Sequence, residues 1–163
     1  MHKIGRTVRR RRKEGKTDYK ARLVLLKSNQ PRFVVRKSNR YILGQVIESE
    51  NAQDKVISGV SSKELLNYGW PDTMKGSLKN MTAAYLTGFM LGKKSKIKEG
   101  IFDMGLQRNV KRSRIYAFLK GLIDAEIKIP HSKETLPPEE MLLKNEKTGR
   151  LINPIKEKLQ NGN

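Results

Sequence analysis

The apolar and polar positions change their period along the chain. Asp18 stands before Tyr19–Ser28, where Leu23 and Leu26 share a side, and Asn29-Gln30-Pro31 follows. An acidic cap at the start and a proline at the end predict a helix there. Arg32-Phe33-Val34-Val35-Arg36-Lys37 is apolar in the middle and basic at both ends, which predicts a strand. Ser38-Asn39 predicts a hairpin turn into a second strand, Arg40–Ile47. An acidic loop, Glu48–Asp54, and a third strand, Lys55–Val60, complete a meander.

The second half reads differently. Ser61–Leu66 suggests a short helix ended by Gly69-Trp70-Pro71, and residues 72–80 are loop-like. Met81–Lys96 is a helix, apolar nearly all round in its first three turns and therefore buried between layers. Ile101–Met104 fits a short buried strand. Ile115, Phe118, Leu119, Leu122 and Ile123 follow the spacing of an amphipathic helix. Ile127-Lys128-Ile129 reads as an edge strand before Pro130. From Pro137 the chain is polar, with a weak helix signal and Gly149 and Pro154 as breakers. The order β-β-β-α-β-α predicts an α/β fold, a mixed sheet with helices packed on it. The division is a basic arm at 1–17, an α/β domain at 18–136 and a polar C-terminal tail at 137–163.

Charge sharpens this picture. The 163 residues hold 35 Lys and Arg against 16 Asp and Glu, a net +19. Residues 1–40 hold 15 of those cations and only Glu14 and Asp18, so they carry +13. A chain this basic calls for a polyanion, and nucleic acid is the commonest. The five adjacent cations Arg9–Lys13 repel one another and have no apolar face, so the arm is expected to be extended or mobile when free. There is no Cys, and His2 and His131 make no metal motif, so neither a metal nor another cofactor is expected. The longest mostly apolar run, Met81–Gly92, has 12 residues against the ~20 a membrane span needs. No apolar leader is visible, and the expected compartment is the cytosol.

Three basic clusters are candidates for phosphate contact. The first is Arg9, Arg10, Arg11, Arg12 and Lys13, where guanidinium forks suit phosphate oxygens. The second is Arg32, Arg36, Lys37 and Arg40 at the hairpin. Ser38, Asn39 and Tyr41 add groups suited to unpaired bases there, and the alternative is a charged sheet edge that deters aggregation. The third is Arg108, Lys111, Arg112 and Arg114, with Ser113 placed to cap the following helix beside a phosphate; a solvated loop explains it equally well. A magnesium-dependent ribonuclease built on Glu48, Asp103 and Asp124 is the least favoured reading. Asp103 capping a backbone turn and Asp124 facing solvent are better explanations. Gly88 and Gly92 fall short of a phosphate loop and fit close helix packing instead. Trp70 is favoured as a core anchor over a base-stacking platform. A general basic protein that compacts nucleic acid is the other alternative.

Seven stretches add a further level: RRRRKEGKTDYKARLVLLKS (9–28), PRFVVRKSNRYILGQVIE (31–48), SSKELLNYGW (61–70), TAAYLTGFMLGKK (82–94), IFDMGLQ (101–107), SRIYAFLKGLIDAEIKIPHS (113–132) and LPPEE (136–140). Together and in this order they resemble the archaeal and eukaryotic branch of the 5S-rRNA-binding large-subunit ribosomal proteins, the family numbered eighteen in the prokaryotic scheme. The resemblance implies an α/β fold with a ribonuclease-H-like motif but no nuclease activity. It implies binding to 5S rRNA and 23S rRNA in the central protuberance of the ribosome, next to neighbouring large-subunit proteins that include another 5S-binding protein, and no membrane. By matching position, Arg9 to Lys13, Lys16, Tyr19 and Arg22 would belong to the RNA-binding arm. Arg32, Arg36, Lys37, Ser38, Asn39, Arg40 and Gln45 would belong to the RNA-facing sheet region. Two departures stand out. Gln107 and Arg112-Ser113 replace a usual His and a Gly-Ser step, making that loop more basic. A tail over 141–163 replaces the family's short ending, yet is shorter than the eukaryotic extension, which favours an archaeal-type protein.

Overall fold

The computed structural model describes residues 7–51 and 53–161. The first six residues, His2 among them, lie outside this range. A one-turn helix α1 (Arg10–Lys13) precedes α2 (Tyr19–Lys27). The Asp18 carboxylate accepts from the amides of Lys20 (2.9 Å) and Ala21 (3.1 Å), so the expected cap is in place. Then come β1 (Arg32–Lys37), β2 (Ile42–Glu50) and β3 (Gln53–Ser61). The expected acidic loop is instead strand, turning only around Asn51 at φ +48°. Its acids do not break the ladder because Asp54, opposite Ser49, is neutralised by arginines from outside the hairpin.

Two 3₁₀ segments, Ser62–Tyr68 and Asp72–Ser77, lead to α3 (Met81–Lys94). The first of them carries a capping box between Ser61 and Glu64. Trp70 is buried, as its core reading expected, with its indole N–H on the Met74 carbonyl at 3.1 Å. The short β4 (Ile101–Asp103) and α4 (Arg114–Asp124) follow. The strand order is β3-β2-β1-β4, with β4 parallel to β1 and the other pairs antiparallel. This is the mixed sheet the sequence predicted. Residues 127–129 make one parallel bridge, Glu99 to Lys128, rather than an edge strand, because Pro130 cannot continue the pairing.

The sheet has two unlike faces. Phe33, Val35, Ile42, Val46 and Val60 are buried beneath α3 and α4. Arg32, Val34, Arg36, Gln45 and Asp103 alternate onto the opposite face. On the first face the two helices touch backbone to backbone. A Cβ at Gly88 would stand 2.0 Å from the Phe118 carbonyl oxygen, and one at Gly121 would stand 2.0 Å from that of Tyr85. Gly88 therefore serves close packing, as the sequence suggested.

Residues 137–163 were expected to be a polar tail with a weak helix. The described part of this stretch forms α5 (Glu139–Leu143), α6 (Glu146–Gly149) and α7 (Ile152–Asn161), and this last helix packs on α3. Leu142, Ile152, Ile155 and Leu159 are buried. Pro154 does not break α7, because it sits in the first turn, where the backbone N–H has no helical partner to lose. The Lys156 ammonium lies over the rings of Tyr85 (5.0 Å) and Phe89 (5.2 Å). Ile155→Ala should lower unfolding stability by about 2–5 kcal/mol, read by urea titration on Trp70 fluorescence. A solvated tail would leave the midpoint unmoved.

Candidate nucleic-acid interface

The arm is exposed and locally braced. Arg11 Nε donates to Thr17 Oγ1 at 2.8 Å, and Glu14 pairs with Lys16 (2.8 Å) and Arg10 (3.8 Å). Gly15, at φ +63°, makes the turn between them. The guanidinium of Arg9 lies 4.8 Å from the centre of the Tyr19 ring. The run holds one helical turn, Arg10–Lys13, beside these side-chain contacts. Arg9, Arg10, Arg11, Arg12 and Lys13 all remain exposed.

Behind the arm lies a charge network that joins three parts of the fold. Arg32 is 3% exposed. Its guanidinium reaches Asp103 (3.1 Å), Asp54 (2.6 Å) and Ser49 (2.9 Å). Arg22 of α2 reaches the other oxygen of Asp54 at 2.9 Å. Asp103 Oδ1 also accepts from the Gly105 amide at 2.7 Å, the turn-capping role expected of it. Arg32 is thus not offered to a nucleic acid, contrary to the sequence expectation. Its head is enclosed between the buried carboxylate of Asp103 and the partly exposed one of Asp54, which compensate the charge taken out of water. Arg22 likewise is held by Asp54.

Arg36 remains accessible, at 45% exposure. Its NH1 donates to the Val35 carbonyl (2.8 Å), and Asp103 stands 3.6 Å away. Across the pair, Leu43 lies opposite Arg36, and Gln45 opposite Val34. Lys37, Asn39 and Arg40 project from the hairpin. Ser38 is spent on its own turn: its hydroxyl bonds the Tyr41 carbonyl and accepts from the Arg40 and Tyr41 amides. The arm, Arg36, Gln45 and the hairpin cations thus border the face of the sheet away from α3.

The third cluster is more dispersed. Lys111 pairs with Glu134 (3.3 Å), and Arg114 donates to the Lys79 carbonyl (3.1 Å). Arg112 adopts φ +58° with its amide on the Thr135 carbonyl, and Arg108 is exposed. Ser113 stands at the cap position of α4, but its hydroxyl makes no cap bond and is buried without a partner. The proposed acids of a metal site are engaged elsewhere. Asp103 belongs to the Arg32 network, and Asp124 accepts from the Tyr85 hydroxyl at 2.6 Å, which together with burial pushes that hydroxyl above its ordinary pKa. Among the described residues no three ligating side chains gather into a metal site.

Sequence reasoning missed Asp54, Ser49, Thr17 and the burial of Arg32. Only the last left a trace, as an arginine at the edge of an apolar run.

Comparison with known proteins places these residues in context. A family model described as "Ribosomal large subunit proteins 60S L5, and 50S L18" matches residues 5–102, from the arm to β4. Large ribosomal subunit protein uL18 of Korarchaeum cryptofilum is 52% identical over 136 residues, covering 82% of this chain and 68% of that protein. The uL18 proteins of Methanothrix thermoacetophila and Aeropyrum pernix are 47% and 45% identical over 80% of this chain, covering 76% and 61% of theirs. The chain thus spans about two thirds of the length of the curated relatives it matches.

The network has a pH signature. Burial pushes the Asp54 carboxyl up, but hydrogen bonds from Ser49 and Arg22 and the charge of Arg32 outweigh it and hold the group below its ordinary value of 3.8. A carboxyl depressed by folding stabilises the fold fully above its unfolded pKa, and that contribution is lost as the pH falls through the folded value. Stability should therefore decline below about pH 4, and Asp54→Asn should flatten that part of the decline in urea melts run across pH.

Proposed function

Since the chain belongs to this family of large-subunit ribosomal proteins, we propose that it is a structural constituent of the large ribosomal subunit that binds 5S rRNA and mediates its attachment to 23S rRNA in the central protuberance. Its place is then the ribosome in the cytoplasm, with neighbouring large-subunit proteins, another 5S-binding one among them, as partners. The relatives are named as ribosomal proteins and not as enzymes, in keeping with the absence of catalysis expected from the sequence.

The observation that carries this proposal is the border of exposed cations along the arm and the hairpin, far in excess of the acids beside them. Residues 1–17 supply Arg9, Arg10, Arg11, Arg12, Lys13 and Lys16, beside Tyr19. The domain at 18–136 supplies Arg36, Lys37, Asn39, Arg40 and Gln45. Arg108, Lys111, Arg112 and Arg114 extend the basic surface on the loop before α4. Such an array neutralises phosphates and releases counterions, which lets two RNA surfaces approach each other. The Tyr19 ring, Asn39 and Gln45 offer stacking and hydrogen bonds to unpaired bases. Arg22 and Arg32 support the array from behind, and α5 and α7 pack on α3 on the opposite side.

Filter binding to 5S rRNA across a salt series should give a steep slope. Converting Arg9, Arg10, Arg11 and Arg12 together to Ala should reduce that slope by about 3, at roughly 0.7–0.9 per lost phosphate contact. An unchanged slope would remove the arm from the mechanism. In competition, 5S rRNA should displace duplex DNA; a preference for DNA would favour the nucleic-acid-compacting alternative.

A further inference from the structure

The space between the arm, α2 and the loop after β4 forms a cavity of about 270 Å³. Five cations line it, Arg11, Lys16, Arg22, Arg32 and Arg36, against two carboxylates, Asp18 and Asp103. Both carboxylates are already engaged. Asp18 accepts from the Lys20 and Ala21 amides, and Asp103 serves Arg32 and the Gly105 amide. Arg22 and Arg32 are spent on Asp54.

The other three cations keep unspent donors. Arg11 is anchored to Thr17 through Nε, which leaves the outer edge of its fork open, and it makes no salt bridge among the described residues. Among the described residues Lys16 pairs only with Glu14, which does not line the cavity. Among the described residues Arg36 bonds through NH1 alone. Gly105 closes against it: a Cβ there would fall 2.8 Å from Arg36 NH1, so the bare glycine lets the guanidinium settle on the loop. Leu25, Met104 and Leu106 supply apolar walls. Displacing water from such walls strengthens a charge pair at the same distance.

We propose that this cavity is a discrete seat for one backbone phosphate of bound RNA, gripped by Arg11, Lys16 and Arg36. The proposal rests on the RNA-binding function above and deepens it. The rest of the arm attracts RNA diffusely, whereas this seat sets the register between the arm and the sheet. The Gln107 amide, also in the lining, is available to the adjoining sugar or base.

The test uses the full chain with inorganic phosphate as probe, at constant ionic strength, followed by amide NMR. Shifts should saturate and concentrate at Thr17, Gly105 and Gln107. Arg11→Gln and Lys16→Gln, both at exposed side chains, should each weaken phosphate binding several-fold. Lys20→Gln removes the same charge from a position on α2 outside the cavity, and should leave phosphate binding unchanged. Against 5S rRNA at salt high enough to suppress diffuse attraction, Arg11→Gln should cost about tenfold more affinity than Lys20→Gln, the loss of one charged hydrogen-bonding contact. Unsaturable shifts spread along the arm, or equal losses for Arg11→Gln and Lys20→Gln, would overturn the seat while leaving RNA binding itself intact. Saturable phosphate binding in a chain without affinity for 5S rRNA would overturn the assignment of the ligand together with the function beneath it.

Discussion

The buried guanidinium of Arg32 is the constraint around which the face of the sheet away from α3 is arranged. A charge removed from water is costly unless its partners are close and well aligned. Arg32 meets that condition with Asp103 on β4 and Asp54 on β3, two strands away in the opposite direction. The contacts therefore span the sheet from edge to edge. Asp54 then takes Arg22, and through it α2 is drawn onto the sheet. Without Asp54, Arg32 would lose one of its two carboxylates and α2 its ionic tie. The Arg32–Asp103 pair is the buried one, and removing one member of such a pair typically costs about 3–5 kcal/mol.

This arrangement divides the basic residues into two classes by position rather than type. Arg32 and Arg36 are four residues apart on one strand and share a face. One is buried and consumed by carboxylates; the other is 45% exposed and keeps donors free. Along the chain they look alike, because an arginine flanked by apolar residues reads the same whether its head ends in water or on a carboxylate. The partner of Arg32 is 71 residues away, so only the parallel pairing of β1 with β4 discloses it. The same limit applies to Asp54, which looked like part of an acidic loop and proved to be the strand residue that answers both arginines.

Local signals were legible where the physics is local. The Asp18 cap, the β1–β2 hairpin, the all-round apolar α3 and the amphipathic α4 each depend on residues within a few positions of one another. Asp103 as the cap of a turn and Trp70 as a core residue belong with them. The C-terminal helices were not legible, because Ile152, Ile155 and Leu159 form a narrow stripe among lysines and glutamate. That stripe has meaning only against the surface of α3. Lys156 shows why polarity misled: its ammonium sits on aromatic rings of α3, so a residue counted as solvated helps to hold the helix in place.

The two faces of the sheet are consequently held by different forces, and this suits the proposed role. Under α3 and α4 the contacts are apolar, and at Gly88 and Gly121 backbone meets side-chain-free backbone, so salt has little purchase there. On the other face, cohesion comes from a few ion pairs, shielded by burial at Arg32 and only partly elsewhere. A chain with net +19 pushes its own surface apart, and the 16 acids cannot pair every cation. The acids nearest the arm are used where they fix structure: Asp18 on a helix terminus, Glu14 within a turn, Asp54 and Asp103 on Arg32. What they leave uncompensated is the outer row of the arm and the hairpin. The repulsion within that row is screened by salt and further relieved by a polyanion, so the excess charge that would attract RNA under the proposed role is also eased by it.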